Sequence, residues 1–89
     1  MDINDIRFKR AQDALEKGDC ENAGPIFLEL VNKFPTDQNA DKALNNAAVC
    51  FEKVHRYNEA TKAYEKLHEQ YPNSPMDEEA LYRAALQKE

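Results

Sequence analysis

The sequence predicts an all-α fold, a right-handed stack of antiparallel helix hairpins, with two full repeats plus one additional helix. The main observation is an internal repeat, and a fixed period of this length is typical of stacked helical hairpins. At five positions the same residue, or another aromatic one, recurs 37 positions later, giving the pairs Ala23 and Ala60, Phe27 and Tyr64, Leu30 and Leu67, Phe34 and Tyr71, Pro35 and Pro72. The composition agrees, because 33% of the 89 residues are charged and only two are glycine, as expected of a helix-rich chain.

The first repeat is predicted over residues 3–36, within a single domain spanning residues 1–89. Its first helix is expected over residues 3–17, where apolar residues recur at helical spacing. That apolar line is Phe8, Ala11 and Leu15. Gly18 is expected to end the helix, because glycine readily adopts the left-handed conformation found just after many helices.

The second helix of this repeat contains a proline, Pro25, which affects where the helix is predicted to begin. Proline fits best in the first turn of a helix, where its missing N–H has no partner to lose. Asn22 is therefore the predicted N-cap, so this helix should begin later than its counterpart in the second repeat. Its buried side is predicted to be Ala23, Ile26, Phe27, Leu30, Val31 and Phe34.

The second repeat is predicted over residues 37–73 and again holds two helices. A helix after residues 35–37 is expected to run to Val54, with many alanines that let two helix backbones approach closely. Its core line is Ala40, Ala43, Leu44, Ala47, Ala48, Phe51 and Val54. The following helix is expected over residues 58–71. Its buried side is Ala60, Ala63, Tyr64, Leu67 and Tyr71.

Residues 74–89 are predicted to form a half repeat or capping helix. Ser74 is the expected N-cap, Pro75 the first helical residue and Asp77 the acid of a capping box. The helix is predicted to bury four residues that stand 37 positions after core residues of the previous helix: Ala80, Leu81, Ala84 and Ala85.

Charge and motif content exclude several classes of function. The net charge of −5 and pI near 5.0 argue against nucleic acid, which requires a basic surface. The sequence shows no catalytic motif, no metal-ligand spacing, no basic-then-apolar signal segment and no apolar run of the roughly 20 residues that span a bilayer. We therefore expect no cofactor, no metal, no enzymatic activity and no membrane insertion.

The cysteines and histidines are interpreted as structural or surface residues. Cys50 falls on the apolar side of its helix and is expected to be a buried thiol, while Cys20 is expected in a turn. A disulfide between them is the less favoured alternative, because it requires close Cα atoms, which a sequence cannot show. His55 is placed at a helix end, and His68 on a charged helix face.

The two repeats and the additional helix resemble the tetratricopeptide repeat family, and the resemblance covers nearly the whole chain. The second repeat carries the family's pattern at Ala48, Phe51, Tyr57, Ala60, Tyr64 and Pro72, and the first repeat keeps Gly18, Ala23, Phe27 and Pro35. Three positions depart from the pattern, namely Arg7, Cys20 and Leu67. The strings YPNSP and EALYRAA are similar to repeats of bacterial outer-membrane assembly lipoproteins and Tol–Pal-associated proteins. The resemblance implies a periplasmic or outer-membrane-associated protein, with a cytoplasmic location as the alternative.

The resemblance also implies a scaffold that binds a peptide or helix of a partner protein in a concave groove lined by the first helix of each repeat. The residues predicted to line that groove are Phe8, Lys9, Gln12, Lys42, Asn45, Asn46, Val49, Lys53, Tyr82 and Arg83. The family's clamp for chaperone C-termini is predicted to be absent, because Phe8 and Glu79 replace its lysines. The alternative function is self-assembly, as a homodimer or hairpin-swapped module, through Tyr82 and Leu86 of the last helix.

Overall fold

A computed structural model describes residues 3–87 as five α-helices. They are α1 (Ile3–Glu16), α2 (Cys20–Lys33), α3 (Ala40–Lys53), α4 (Tyr57–Gln70) and α5 (Asp77–Gln87). No strand occurs in this range, and each helix packs mainly against the next along the chain. The predicted all-α stack of hairpins is thereby confirmed. The division into repeats over 3–36, 37–73 and 74–89 remains a prediction.

The core runs through the middle of the stack, with α3 at its centre. The larger side chains that are fully buried come from α2, α3 and α4 and include Phe27, Leu44, Tyr64 and Leu67. Small residues surround them: Ala40, Ala43, Ala47, Ala48, Ala60, Ala63, Ala80 and Ala84 are all buried. Because alanine adds little volume beyond the backbone, these positions allow neighbouring helices to approach closely.

The ends of α1 and α3 share one backbone conformation. Gly18 and His55, which stand 37 positions apart, both have positive φ angles, +84° and +64°. In both cases the backbone N–H of the following residue donates to the carbonyl that lies five residues before it: Asp19 to Ala14, and Arg56 to Phe51, each at an N–O distance of 2.8 Å. This is the bonding of a Schellman motif, which satisfies carbonyls left unpaired at a helix end. Glycine is suited to this conformation, whereas histidine is strained in it.

The predicted start of α2 is wrong. The helix begins at Cys20, which is therefore not in a turn, and Pro25 lies inside it. Asn22 is not the cap, because its side-chain amide donates to the carboxylate of Asp19 at 3.0 and 2.9 Å. The preceding residue, Gly24, has no Cβ to clash with the proline ring, which removes one of the costs of a proline inside a helix.

The predicted start of α5 is also wrong, because the helix begins at Asp77 rather than at Pro75. The Ser74 hydroxyl accepts a hydrogen bond from the amide two residues on, at 3.2 Å, and donates to Asp41 at 2.8 Å. The Asp77 carboxylate contacts Nδ1 of His68 at 2.7 Å instead of capping the helix. Both polar side chains thus bind an earlier helix, which local capping rules do not anticipate.

Four residues predicted to be buried are exposed. Leu81 is 48% exposed and Ala85 is also exposed, although their counterparts in α3 are buried. The reason is that α3 lies between α2 and α4, whereas the main packing partner of α5 among the described helices is α4 alone. Ile26 and Phe34 are each 37% exposed, on a side of α2 that no further described helix covers.

Candidate partner-binding face

A stripe of five residues lies on the side of α3 away from the core. The stripe consists of Lys42, Asn45, Asn46, Val49 and Lys53, which we call the α3 stripe. Steps of three and four residues place them on one helix face. The two lysines at its ends are exposed, and the three residues between them are half-buried. The structure therefore brings together all five of the residues that were predicted on this helix.

The two asparagines at the centre of the stripe have unused hydrogen-bonding capacity. Neither Asn45 nor Asn46 makes a side-chain hydrogen bond with another residue in the range 3–87. Asparagine in mid-helix costs some tenths of a kcal/mol relative to alanine. Each amide offers two N–H donors and a carbonyl acceptor, so the pair could bond to the backbone of an extended peptide.

Residues of α1 and α5 at the equivalent repeat positions flank the α3 stripe in register. Lys9 is exposed and Gln12 half-buried on α1, while on α5 Tyr82 is 63% exposed and Arg83 half-buried. Leu86, 48% exposed, holds the repeat position of Val49. The residues of α5 proposed for self-association are thus in register with the stripe.

Phe8 was predicted to line the groove, and this prediction is wrong. Its side chain is 9% exposed and belongs to the hydrophobic core. The ring meets Phe27 of α2 edge-to-face, with ring centroids 5.7 Å apart and an interplanar angle of 69°. Phe8 therefore helps to hold the first hairpin together and does not line a binding surface.

Arg83 is held by acidic residues of the chain itself. Its Nη1 lies 3.3 Å from both carboxylate oxygens of Glu52, and its Nε donates to Glu79 at 2.9 Å. The bond to Glu79 raises the pKa of the Arg83 guanidinium above its already high ordinary value. A guanidinium paired in this way is oriented by the fold, and it is less available to a partner than a free arginine would be. Its role in partner binding remains a prediction.

Glu52 is the residue that sequence reasoning missed. Its carboxylate accepts hydrogen bonds from the hydroxyl of Tyr64, from Arg83 and, at 2.6 Å, from Nε2 of Gln87, so it joins α3, α4 and α5. Burial and the bond to Glu52 raise the pKa of Tyr64. The one sequence signal is that Glu52 stands at the repeat position of an apolar residue, Leu15.

The remaining titratable residues form no second site in the described part of the chain. His55 Nδ1 contacts the hydroxyl of Tyr57 at 2.8 Å, and His68 pairs with Asp77 as described above. Across residues 3–87, no group of three or more His, Cys, Asp and Glu side chains could hold a metal ion. The helices in the same range include none with both the length and the apolar character needed to cross a bilayer.

Comparison with known proteins gives one family. A search of curated proteins finds no match. The sequence model of the family YfiO, outer membrane lipoprotein, matches residues 2–88, which is nearly the whole chain. The match agrees with the five-helix stack and with the resemblance to outer-membrane assembly lipoproteins, which is confirmed. The chain therefore belongs to the YfiO family of outer membrane lipoproteins.

Proposed function

We propose that this chain is a non-catalytic protein-interaction module, and that the α3 stripe with its flanking positions on α1 and α5 binds a segment of a partner protein. The observation that carries the proposal is the pair Asn45 and Asn46, half-buried and without side-chain hydrogen bonds in the described residues. Polar side chains in this state gain a hydrogen-bond partner when a peptide backbone covers them. The family match supports a role in assembly at the outer membrane.

The charge of the stripe indicates the chemistry of the partner. The chain carries a net charge of −5, yet the α3 stripe contains two lysines and no acid. Lys42 and Lys53 are eleven residues apart, which is about 16 Å along a helix at 1.5 Å per residue. An extended peptide covers that distance in about five residues. The complementary segment is thus extended, with carboxylates about five residues apart and its backbone over the asparagines.

The test is selection of binding peptides from a random peptide library against the wild-type chain, followed by titration of the selected peptides. We expect Asn46→Ala to weaken binding by about 5-fold or more, because a lost hydrogen bond contributes about 1 kcal/mol. Lys42→Ala and Lys53→Ala should weaken binding less than Asn46→Ala does. The effect of these two lysine substitutions should be larger at low salt. The melting temperature should change little in all three variants.

Lys62→Ala is the matched control, because Lys62 is an exposed lysine of α4 outside the stripe. Selected peptides should bind this variant as they bind wild type, and they should be enriched in Asp and Glu. Peptides that bind Asn46→Ala and Lys62→Ala equally would contradict the proposal. Equal losses of stability and affinity in Asn46→Ala would show that the residue is structural.

Self-association through α5 is a second candidate, favoured by its exposed apolar residues. Leu81, Tyr82 and Leu86 are 48%, 63% and 48% exposed on this helix. Sedimentation of wild type against Leu86→Glu tests it directly. A dimer that the substitution dissociates supports self-association, whereas a monomer in both cases refutes it.

Location on the periplasmic side of the outer membrane is proposed from the family alone. Fractionation of a tagged, chromosomally expressed protein tests it. Recovery in the cytoplasmic fraction would contradict the proposal and favour the cytoplasmic alternative.

A further inference from the structure

Two cysteines meet inside the interface between α2 and α3. Cys20, the first residue of α2, is 4% exposed, and Cys50, in the last turn of α3, is fully buried. Gly24 follows Cys20 by one helical turn on the same face, and a Cβ added there would lie 3.4 Å from the Cβ of Cys50. The face of α2 that carries Cys20 therefore rests directly on Cys50. Both cysteines belong to the same buried cluster, and the Cys20 thiol is near enough to contribute to the raised pKa of the Cys50 thiol.

We propose that Cys20 and Cys50 form a disulfide bond that fixes the start of α2 to the end of α3. The inference goes beyond partner binding, since neither cysteine belongs to the α3 stripe. Buried cysteines usually act as small apolar residues, and packing alone would be satisfied by any small apolar residue at each position. What distinguishes this pair is that the fold brings both to the same point from positions 30 residues apart in the chain. The inference also rests on the periplasmic location proposed above, because the periplasm is oxidising and disulfides persist there.

The chemistry requires an external disulfide as oxidant, of the kind carried by glutathione or by a thiol–disulfide oxidoreductase. The first cysteine attacks it, forms a mixed disulfide with the oxidant and releases one thiol. The second cysteine attacks the protein sulfur of that mixed disulfide and releases a second thiol. The two cysteines together lose two electrons and two protons, and the oxidant gains them as its two thiols.

The structure also indicates the order of these steps. Cys20 sits at a helix end, where opening of a single turn exposes it, so it meets the oxidant first. Cys50 lies inside α3, and burial with the neighbouring Cys20 thiol raises the pKa of Cys50 to about 12, which leaves little thiolate in the closed fold. The bond is therefore expected to form during folding or on opening of the first turn of α2, and to be slow to form in the intact fold.

The expected effect is a large increase in melting temperature. A cross-link between positions 20 and 50 closes a loop of about 30 residues, and linking residues so far apart restricts the unfolded chain. For a domain of this size the cross-link should raise the melting temperature by about 10 °C or more. Reduction should remove the whole increase.

The experiment is to unfold the reduced chain in guanidinium, refold it in a glutathione redox buffer, alkylate free thiols after unfolding the chain again, and measure the mass. Wild type should lose two hydrogens and take up no alkyl group. Its melting temperature should fall by about 10 °C or more on addition of dithiothreitol. The double variant Cys20→Ala/Cys50→Ala should fold and show no response to dithiothreitol.

A matched control moves one thiol without changing the loop much. In Cys50→Ala/Lys53→Cys the new cysteine is on the outer side of α3, so it should remain alkylatable under the same conditions. Alkylated cysteines or glutathione adducts in refolded wild type would overturn the proposal. A disulfide-bonded wild type that melts no higher than its reduced form would overturn it as well, because the bond would then not match the native geometry.

Discussion

Replacing Glu52 by alanine should destabilise the fold by more than the loss of a surface ion pair. The Glu52 carboxylate accepts hydrogen bonds from Tyr64, Arg83 and Gln87 at the junction of three helices. Without it, the Tyr64 hydroxyl remains in a fully buried side chain without this acceptor. An unpaired buried hydroxyl costs about 1–3 kcal/mol. The side chain of Arg83 is 42% exposed, so its ion pair adds at most about 1 kcal/mol. We expect a total loss of about 2–3 kcal/mol in the free energy of unfolding.

A double-mutant cycle separates the buried hydroxyl from the other contributions. Tyr64→Phe alone should cost about 1 kcal/mol, because Glu52 keeps its two other donors and no hydroxyl is left unpaired. In Glu52→Ala/Tyr64→Phe the phenylalanine has no hydroxyl to leave unpaired. The double variant should therefore lose about 1 kcal/mol less than the sum of the two single losses.

Urea denaturation followed by circular dichroism measures all three variants. Glu69→Ala is the control, because Glu69 is an exposed glutamate near the end of α4, and its replacement should change stability by less than about 0.5 kcal/mol. The reasoning fails if Glu52→Ala costs no more than Glu69→Ala. It also fails if the cycle is additive within about 0.3 kcal/mol.

Three further predictions concern backbone strain and pH. His55→Gly should stabilise the fold by about 0.5–1 kcal/mol in urea denaturation, because glycine relieves the strain at φ +64°. Gly18→Ala, at the same repeat position, should destabilise the fold by about 1 kcal/mol. A Cβ at Gly18 would meet nothing within 4 Å, so only the φ of +84° opposes the alanine. A neutral result would refute this explanation. Because the pKa of Tyr64 is raised, the unfolded chain loses that proton first. The free energy of unfolding should therefore fall as pH rises above about 10, and fall less steeply in Tyr64→Phe.

The fold was predictable because the information that determines it is local and repeated. Apolar residues at helical spacing define the buried sides of α2, α3 and α4, and Ala23, Phe27 and Leu30 are buried as predicted. The bounds of α1, α3 and α4 lie within about two residues of the expected ones, which is the usual uncertainty at helix ends. The α3 stripe follows from the same spacing.

The errors arise where a distant residue overrides a local rule. Ser74 and Asp77 would suit a helix cap, but each binds a side chain of an earlier helix. Leu81 matches a core residue by repeat position, but burial also depends on which helices lie on both sides. The partners of Glu52 stand 12, 31 and 35 residues further along the chain, so no short pattern reveals the cluster.

The order of packing, in which each helix rests mainly on its immediate neighbours, has a consequence for how the protein opens. The stack should open from its two ends, so that α1 and α5 separate from their neighbours before α3 does. Backbone amides of α3 should accordingly exchange with deuterium most slowly, and those of α1 and α5 fastest. A protein that loosens at its ends while its centre stays closed can present the α3 stripe unchanged to a partner even while its outer helices fluctuate.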